Sequence, residues 1–152
     1  MPPGDWRAAA LRPPFTILKD KNRWLAIQPS ASPAHAGEGS GDFPRWLPSS
    51  SKPRALLLSG NELLSWTLGE DPSLLWRHSE PLVQAVWHQS GSTVFIATKK
   101  QVFALELDER NGRLITPLAD FENILDLAIL NKTLYIAGTQ DSQTGLWELP
   151  LE

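Results

Sequence analysis

The residues able to do chemistry are few and scattered along the chain. The three histidines stand at 35, 78 and 88, and there is no cysteine. A zinc site needs three or four converging ligands, usually including a pair two to four residues apart. No histidine pair has that spacing, so neither a metal nor a cofactor is expected. General acid–base catalysis needs two carboxylates held together with their proton affinities pushed apart. The acidic residues fall mostly in turn-like stretches such as GEDP and LDERNG, where solvent is their ordinary partner. Asp126, between Leu125 and Leu127, is the exception, and either a central channel or a loop hydrogen bond suits it. With Glu122 it is the least poor candidate for a glycan-active enzyme, the alternative to the expectation that the chain is not an enzyme. Ser59-Gly60 and Ser90-Gly91 read as hairpin turns rather than a nucleophile elbow. Gly37, Gly39 and Gly41 are followed by no helix or Lys-Ser/Thr, as a phosphate loop requires. The NKT at 131 to 133 matches a glycosylation acceptor, a pattern common by chance.

The seven tryptophans, at 6, 24, 46, 66, 76, 87 and 147, could stack on sugar faces. Trp66, Trp87 and Trp147 lie inside apolar strands, where an indole fills space between layers and its N–H finds a backbone acceptor. Trp46, flanked by Pro44 and Pro48, and Trp76, near a strand end, are freer to be exposed. Together with His88 and Asp126 they form the candidate binding surface. His88 also fits a simpler role, ordering the turn at 88 to 92.

What would position these residues is read from composition and pattern. The 152 residues suit one domain, with 41% hydrophobic and 20% charged residues and 13 prolines, which argues for a globular protein without much helix. A net charge of −3 leaves no electrostatic footprint for nucleic acid. Near the N-terminus the apolar run Ala8 to Leu11 is too short for a signal segment or a membrane span, so neither is expected in this chain.

Strands are expected at 43 to 47, 54 to 59, 62 to 68, 74 to 77, 82 to 87, 93 to 98, 101 to 107, 113 to 117, 124 to 129, 133 to 137 and 145 to 149. Gly60-Asn61, Ser90-Gly91 and Asn111-Gly112 supply turn residues between them. Runs such as Val94-Phe95-Ile96-Ala97 are apolar on both faces, as in sheets that stack face to face.

LLLSGNELLSWTL at 56 to 68 lays its apolar positions on FIATKKQVFALEL at 95 to 107, at an offset of 39. At the same offset FPRWLPSSSKPR (43 to 54) falls on LVQAVWHQSGST (82 to 93). A third copy pairs ILDLAILNKTLYIAG (124 to 138) with 82 to 98, and TGLWEL (144 to 149) with VFALEL (102 to 107), the offset drifting between 40 and 42. Four short strands in about 40 residues describe the blade of a β-propeller. The expected layout is an irregular segment 1–14, a hairpin or partial blade 15–27, a Pro/Gly/Ser-rich loop 28–42, and blades 43–81, 82–123 and 124–152.

AVWHQSGSTVFIA resembles the strand-turn-strand signature of bacterial TolB-like propellers. VFALELDERNGRLITPL and KTLYIAGTQDSQTGLWELPL resemble the closing blades of propellers in bacterial PEGA-domain proteins, although the PEGA module and its membrane anchor are missing. The resemblance implies an extracytoplasmic, non-enzymatic scaffold of the cell envelope that binds protein or cell-wall glycan. Three units and a hairpin fall short of the ~4 to 8 blades of closed rings. The chain is therefore expected to be the C-terminal part of a longer propeller rather than a small complete ring, with self-association through open blade faces as a consequence. Binding is assigned to the rim loops 28 to 42, 69 to 73, 88 to 92, 108 to 112 and 139 to 144.

Overall fold

The computed structural model describes residues 7–12, 15–21, 23–27, 35–40, 45–47, 54–67, 70–108 and 113–151, and these form strands and turns with no helix. Blade one holds β1 (Arg7–Arg12), β2 (Phe15–Asp20), β3 (Arg23–Ile27) and β4 (His35–Ser40). Blade two holds β5 (Arg45–Trp46), β6 (Arg54–Ser59), β7 (Glu62–Thr67) and β8 (Ser73–Arg77). Blade three holds β9 (Leu82–Trp87), β10 (Thr93–Thr98), β11 (Gln101–Glu106) and β12 (Ile115–Asp120). Blade four has β13 (Asn123–Leu130), β14 (Thr133–Gln140) and β15 (Gln143–Pro150). Each sheet is an antiparallel meander in chain order. Buried clusters join blades one to two, two to three and three to four. Among the described residues no such cluster joins the first blade to the last, so the stack is open.

The offset of 39 is a register identity. Leu57 faces Leu64 across its hairpin, and Ile96 faces Phe103 in the same way one blade later. Side chains alternate across a strand, so each hairpin buries both faces. Ala55, Leu57 and Trp66 pack toward blade one, whereas Leu56, Leu58 and Leu63 pack toward blade three. In blade three Val94, Ile96 and Leu105 repeat the first set, and Phe95, Ala97 and Val102 the second. Only an apolar side chain of workable volume is required at each position, which is why the letters diverge while the pattern persists.

The same register reaches further back than sequence comparison showed. Leu18 faces Leu25, 39 residues before Leu57 and Leu64, so TILKDKNRWLAI is a fourth copy of the central hairpin. Lys19 stands where Leu58 would, and that polar substitution hid the copy. Residues 15–27 are thus the middle of a full four-stranded blade. Two flanking assignments change with it: 7–12, expected to be irregular, is β1, and 35–40, expected to be loop, is β4. Edge strands need backbone pairing more than side-chain pattern, and Gly39 opposite Trp24 and Glu38 opposite Leu25 supply it.

Smaller corrections follow from pairing. The expected strand 113 to 117 lies at Ile115–Asp120, with a bulge at Leu118, since consecutive Val102 and Phe103 on its partner face Ala119 and Pro117. The expected loop 139 to 144 is a two-residue turn, because Asp141 and Ser142 both take positive φ (50° and 61°) and Gln140 faces Gln143. That hairpin is two residues longer on each strand than its predecessor. Trp147, facing Ile136, therefore takes the place of Phe103, facing Ile96, an offset of 44. Trp46 faces Ala55 as Trp87 faces Val94, so the 43 to 54 segment aligns two residues away from the expected offset. Gly60 and Gly91 turn at positive φ (61° and 72°) as expected, and Asn111-Gly112 lies outside the described residues.

Backbone bonds tie blade two to blade three, and blade three to blade four, along one rim. The turn carbonyls of Asn61 and Gly60 accept from His78 N–H (3.0 Å) and Leu82 N–H (2.9 Å). One blade on, Lys100 and Lys99 carbonyls accept from Phe121 N–H (2.7 Å) and Ile124 N–H (2.6 Å). The central hairpin turns of blades two and three thereby anchor the chain's passage to the following blade.

Candidate functional site on the inner strands

The first strands of blades two, three and four lie beside one another, and across them the structure assembles a polar chain. Arg45 Nε on β5 donates to Gln84 Oε1 on β9 at 3.2 Å, and Gln84 Nε2 donates to Asp126 Oδ1 on β13 at 2.6 Å. The backbone explains why these side chains meet. Register shifts near Gln84 and Asp126 mark equivalent bulges at Val83 and Leu125. A bulge re-aims the next side chain and frees a backbone N–H. Ala85 N–H donates to Gln84 Oε1 (3.1 Å), and Leu127 N–H to Asp126 Oδ1 (2.8 Å). Gln84 is 7% exposed, so its amide must be satisfied inside the protein.

Chemically this arrangement holds geometry. Asp126 meets an amide and a backbone N–H. Glu122 Oε1 accepts from Ser142 N–H at 3.0 Å, bracing the turn of blade four. The two carboxylates that sequence offered as a catalytic pair thus have separate structural partners. Gln84→Leu removes the donor to Asp126 and the acceptors of Arg45 and Ala85, and urea unfolding is expected to show a loss of about 1 to 3 kcal/mol. Arg45→Met, which leaves the Gln84–Asp126 bond in place, is expected to cost less.

The proposed binding residues do not gather into one patch. Trp46 on β5 is half-buried and packs at a tilt of 51° against Trp66 (centroids 5.8 Å), which in turn packs at 47° against Trp24 (4.9 Å). Trp46 Nε1 is buried, with no partner among the described residues. Trp76 lies on the outer strand β8, beside His78 (5.1 Å) and Phe103 (5.3 Å). His88 sits in the β9–β10 turn, where its Nδ1 contacts Ser90 Oγ (2.8 Å) and Ser90 Oγ contacts Ser92 Oγ (2.7 Å), so it orders the turn. Trp66 and Trp87 are buried, and their indole N–H groups donate to the carbonyls of Glu70 (3.0 Å) and Arg45 (2.9 Å). Trp147 packs edge-on against Phe121 (5.5 Å).

Strand direction also divides the expected rim loops. In a meander the first-to-second and third-to-fourth connections share one rim, and the second-to-third connection lies on the other. Among the described residues, 70 to 73 and 88 to 92 lie in connections on one rim, whereas the turn within 139 to 144 lies opposite; 28 to 34 and 109 to 112 lie outside the described residues.

Sequence reasoning missed the outer face of blade four. Tyr135, Ala137 and Leu146 occupy the positions that Phe95, Ala97 and Val102 fill in blade three, where the next blade buries them. Leu146 is 64% exposed, and Leu125 and Leu130, also in this blade, are 59% and 62% exposed. The signal was present: the apolar repeat continues through the residues of blade four. Among the described residues no helix is long and apolar enough to cross a membrane, and no group of three or more His, Asp or Glu is placed to hold a metal.

No family model and no curated protein matches the sequence. The fold is similar to the crystal structure of the N-terminal domain of Nup159, with a TM-score of 0.57 and 13% sequence identity, over 91% of this chain and 42% of that one. At that identity the likeness shows the fold alone, an open run of propeller blades spanning less than half the length of the matched chain.

Proposed function

We propose that the chain is a non-catalytic propeller module that holds a protein partner on its fourth blade, within a longer, envelope-associated propeller protein. The observation carrying this reading is that three of the five exposed large hydrophobic residues among the described residues, Leu125, Leu130 and Leu146, lie on blade four. A contiguous exposed apolar surface is the usual mark of a protein contact. A glycan partner would want an open indole platform, whereas Trp46 and Trp76 are turned against other rings. The non-catalytic reading draws on Asp126 and Glu122, each engaged in its own structural bond. Association with the envelope follows from the resemblance to PEGA-domain and TolB-like propellers.

A photo-crosslinking residue placed at 125 or 130 in the native host tests the reading. Discrete polypeptide adducts are expected there and not from the same probe at Glu106 or Asp120, exposed positions on blade three. Equal labelling at both pairs, or no polypeptide adduct at 125 and 130, overturns it.

A further inference from the structure

The outer strand of a sheet presents backbone N–H and C=O groups without partners, and such an edge pairs with another chain unless something blunts it. In blades one, two and three the outer strands are β4, β8 and β12. β4 reads HAGEGS, where Gly37 and Gly39 flank Glu38, a poor strand former with a charge near its centre. β12 is blunted by Pro117. Glu106 N–H donates to the Leu114 carbonyl at 2.9 Å, which makes those two a bonded pair. Bonded pairs alternate along an antiparallel ladder. Thr116, opposite Ala104, therefore turns its backbone groups toward β11, and Pro117, opposite Phe103, turns outward. Proline has no N–H, so the edge of blade three lacks a donor there.

β8 has no such residue in its body. From Ser73 to Trp76 it reads SLLW, without charge, proline or glycine, and Leu74 is 44% exposed. Its terminal Arg77 is engaged inside the same blade, Nε donating to Glu62 Oε1 at 2.8 Å. The strand is also bulged: Leu63 faces Trp76 and Leu64 faces Leu74, so Leu75 is an extra residue left out of the ladder. Onto this stretch blade three sets a cation. Arg113, two residues before β12, donates from Nη1 to the carbonyls of Leu74 (2.8 Å) and Leu75 (2.7 Å). Ile115, the first residue of β12, packs against the core shared by blades two and three, which fixes the arginine near β8.

We infer that Arg113 closes the outer edge of blade two against pairing with a second copy of the chain. A second copy is the occupant that the strand itself suits. Antiparallel pairing of β8 with β8 about a two-fold axis needs only one surface patch, the same on both partners. Centred on Leu75, it sets Leu74 against Trp76 and Arg77 against Ser73, so no two like charges meet. The guanidinium across the Leu74 and Leu75 carbonyls blocks that register, because an incoming strand would replace a charged donor with a neutral amide.

The test is Arg113→Met in the full chain, which keeps a long side chain and removes its donors. Sedimentation equilibrium is expected to give a self-association constant at least about tenfold above the parent's. Circular dichroism is expected to show the strand content of the parent. Adding Leu74→Lys places a charge on the freed edge, and the double variant is expected to return to the association constant of the parent. An Arg113→Met chain that associates no more than the parent overturns the inference, and a lowered unfolding midpoint in that case would make Arg113 a fastener between blades only. Association that Leu74→Lys leaves in place runs through another surface and overturns it as well. Crosslinks at 125 and 130 report on blade four, so neither test decides the other.

Discussion

Ile96→Ala is expected to lower the stability of the chain by about 2 to 5 kcal/mol. Ile96 is fully buried at the centre of the cluster joining blades two and three, with Leu56, Leu63, Val94 and Leu105 as fellow members. Truncation removes three methyl or methylene groups from water-free packing and leaves a cavity that neighbours on two separate sheets cannot collapse to fill. At this chain length a 3 kcal/mol loss moves the thermal midpoint by roughly 6 to 12 °C. The control is Leu146→Ala, an aliphatic truncation on the open face of blade four, expected within about 0.5 kcal/mol of the parent. Differential scanning calorimetry of both variants decides the matter. Equal shifts would mean that blade four is covered in solution by something the monomer itself supplies.

The second large effect is expected at Gly138, on β14 opposite Ile124, where the ladder enters the bulge before Asp126. A Cβ there would lie 2.5 Å from the Asn123 carbonyl oxygen and 3.3 Å from the Ile124 Cα. These are backbone atoms, so relief requires β13 to move. Gly138→Ala is expected to cost at least about 1 to 3 kcal/mol, the range for overpacking. The damage should be local: hydrogen exchange is expected to accelerate along β13 and β14, and the hydrogen bond from Gln84 to Asp126 to be lost as the bulge shifts. Gly145, its cross-strand neighbour, is the comparison. A Cβ there meets only the Trp147 ring at 3.7 Å, an ordinary contact, so Gly145→Ala is expected to be neutral or slightly stabilising. If the two alanine variants behave alike, the close approach of β13 to Gly138 is not the constraint it is taken to be.

These two glycines show where sequence reading stops. Both sit in an apolar, β-rich stretch, and nothing local distinguishes them. Only the bulge on the partner strand makes one of them irreplaceable. The inner polar chain has the same character. Asp126 stood out because a carboxylate between two leucines is unusual, but its donor is 42 residues away on another blade. Gln84 gave no signal, since a single glutamine in a strand looks like an ordinary solvent-facing residue. The candidate surface of Trp46, Trp76, His88 and Asp126 was built from residue type, and packing then assigned these residues to inner strand, outer strand and turn.

What the sequence determined by itself was the apolar period and the turns. Short strands apolar on both faces, punctuated by turns and repeated at intervals near 40 residues, leave stacked antiparallel hairpins as the arrangement that buries both faces of each sheet. That period set the blade, the offset of 39 and most strand positions, because hydrophobic burial acts on residue class rather than identity. Tertiary structure alone decided the rest. Backbone pairing recruited low-pattern segments, Arg7–Arg12 and His35–Ser40, as strands of blade one. Bulges brought Arg45, Gln84 and Asp126 together across three blades. Hydrogen bonds between distant backbones carry no local sequence signature, so the features that bear on partner binding appear only once the blades are assembled.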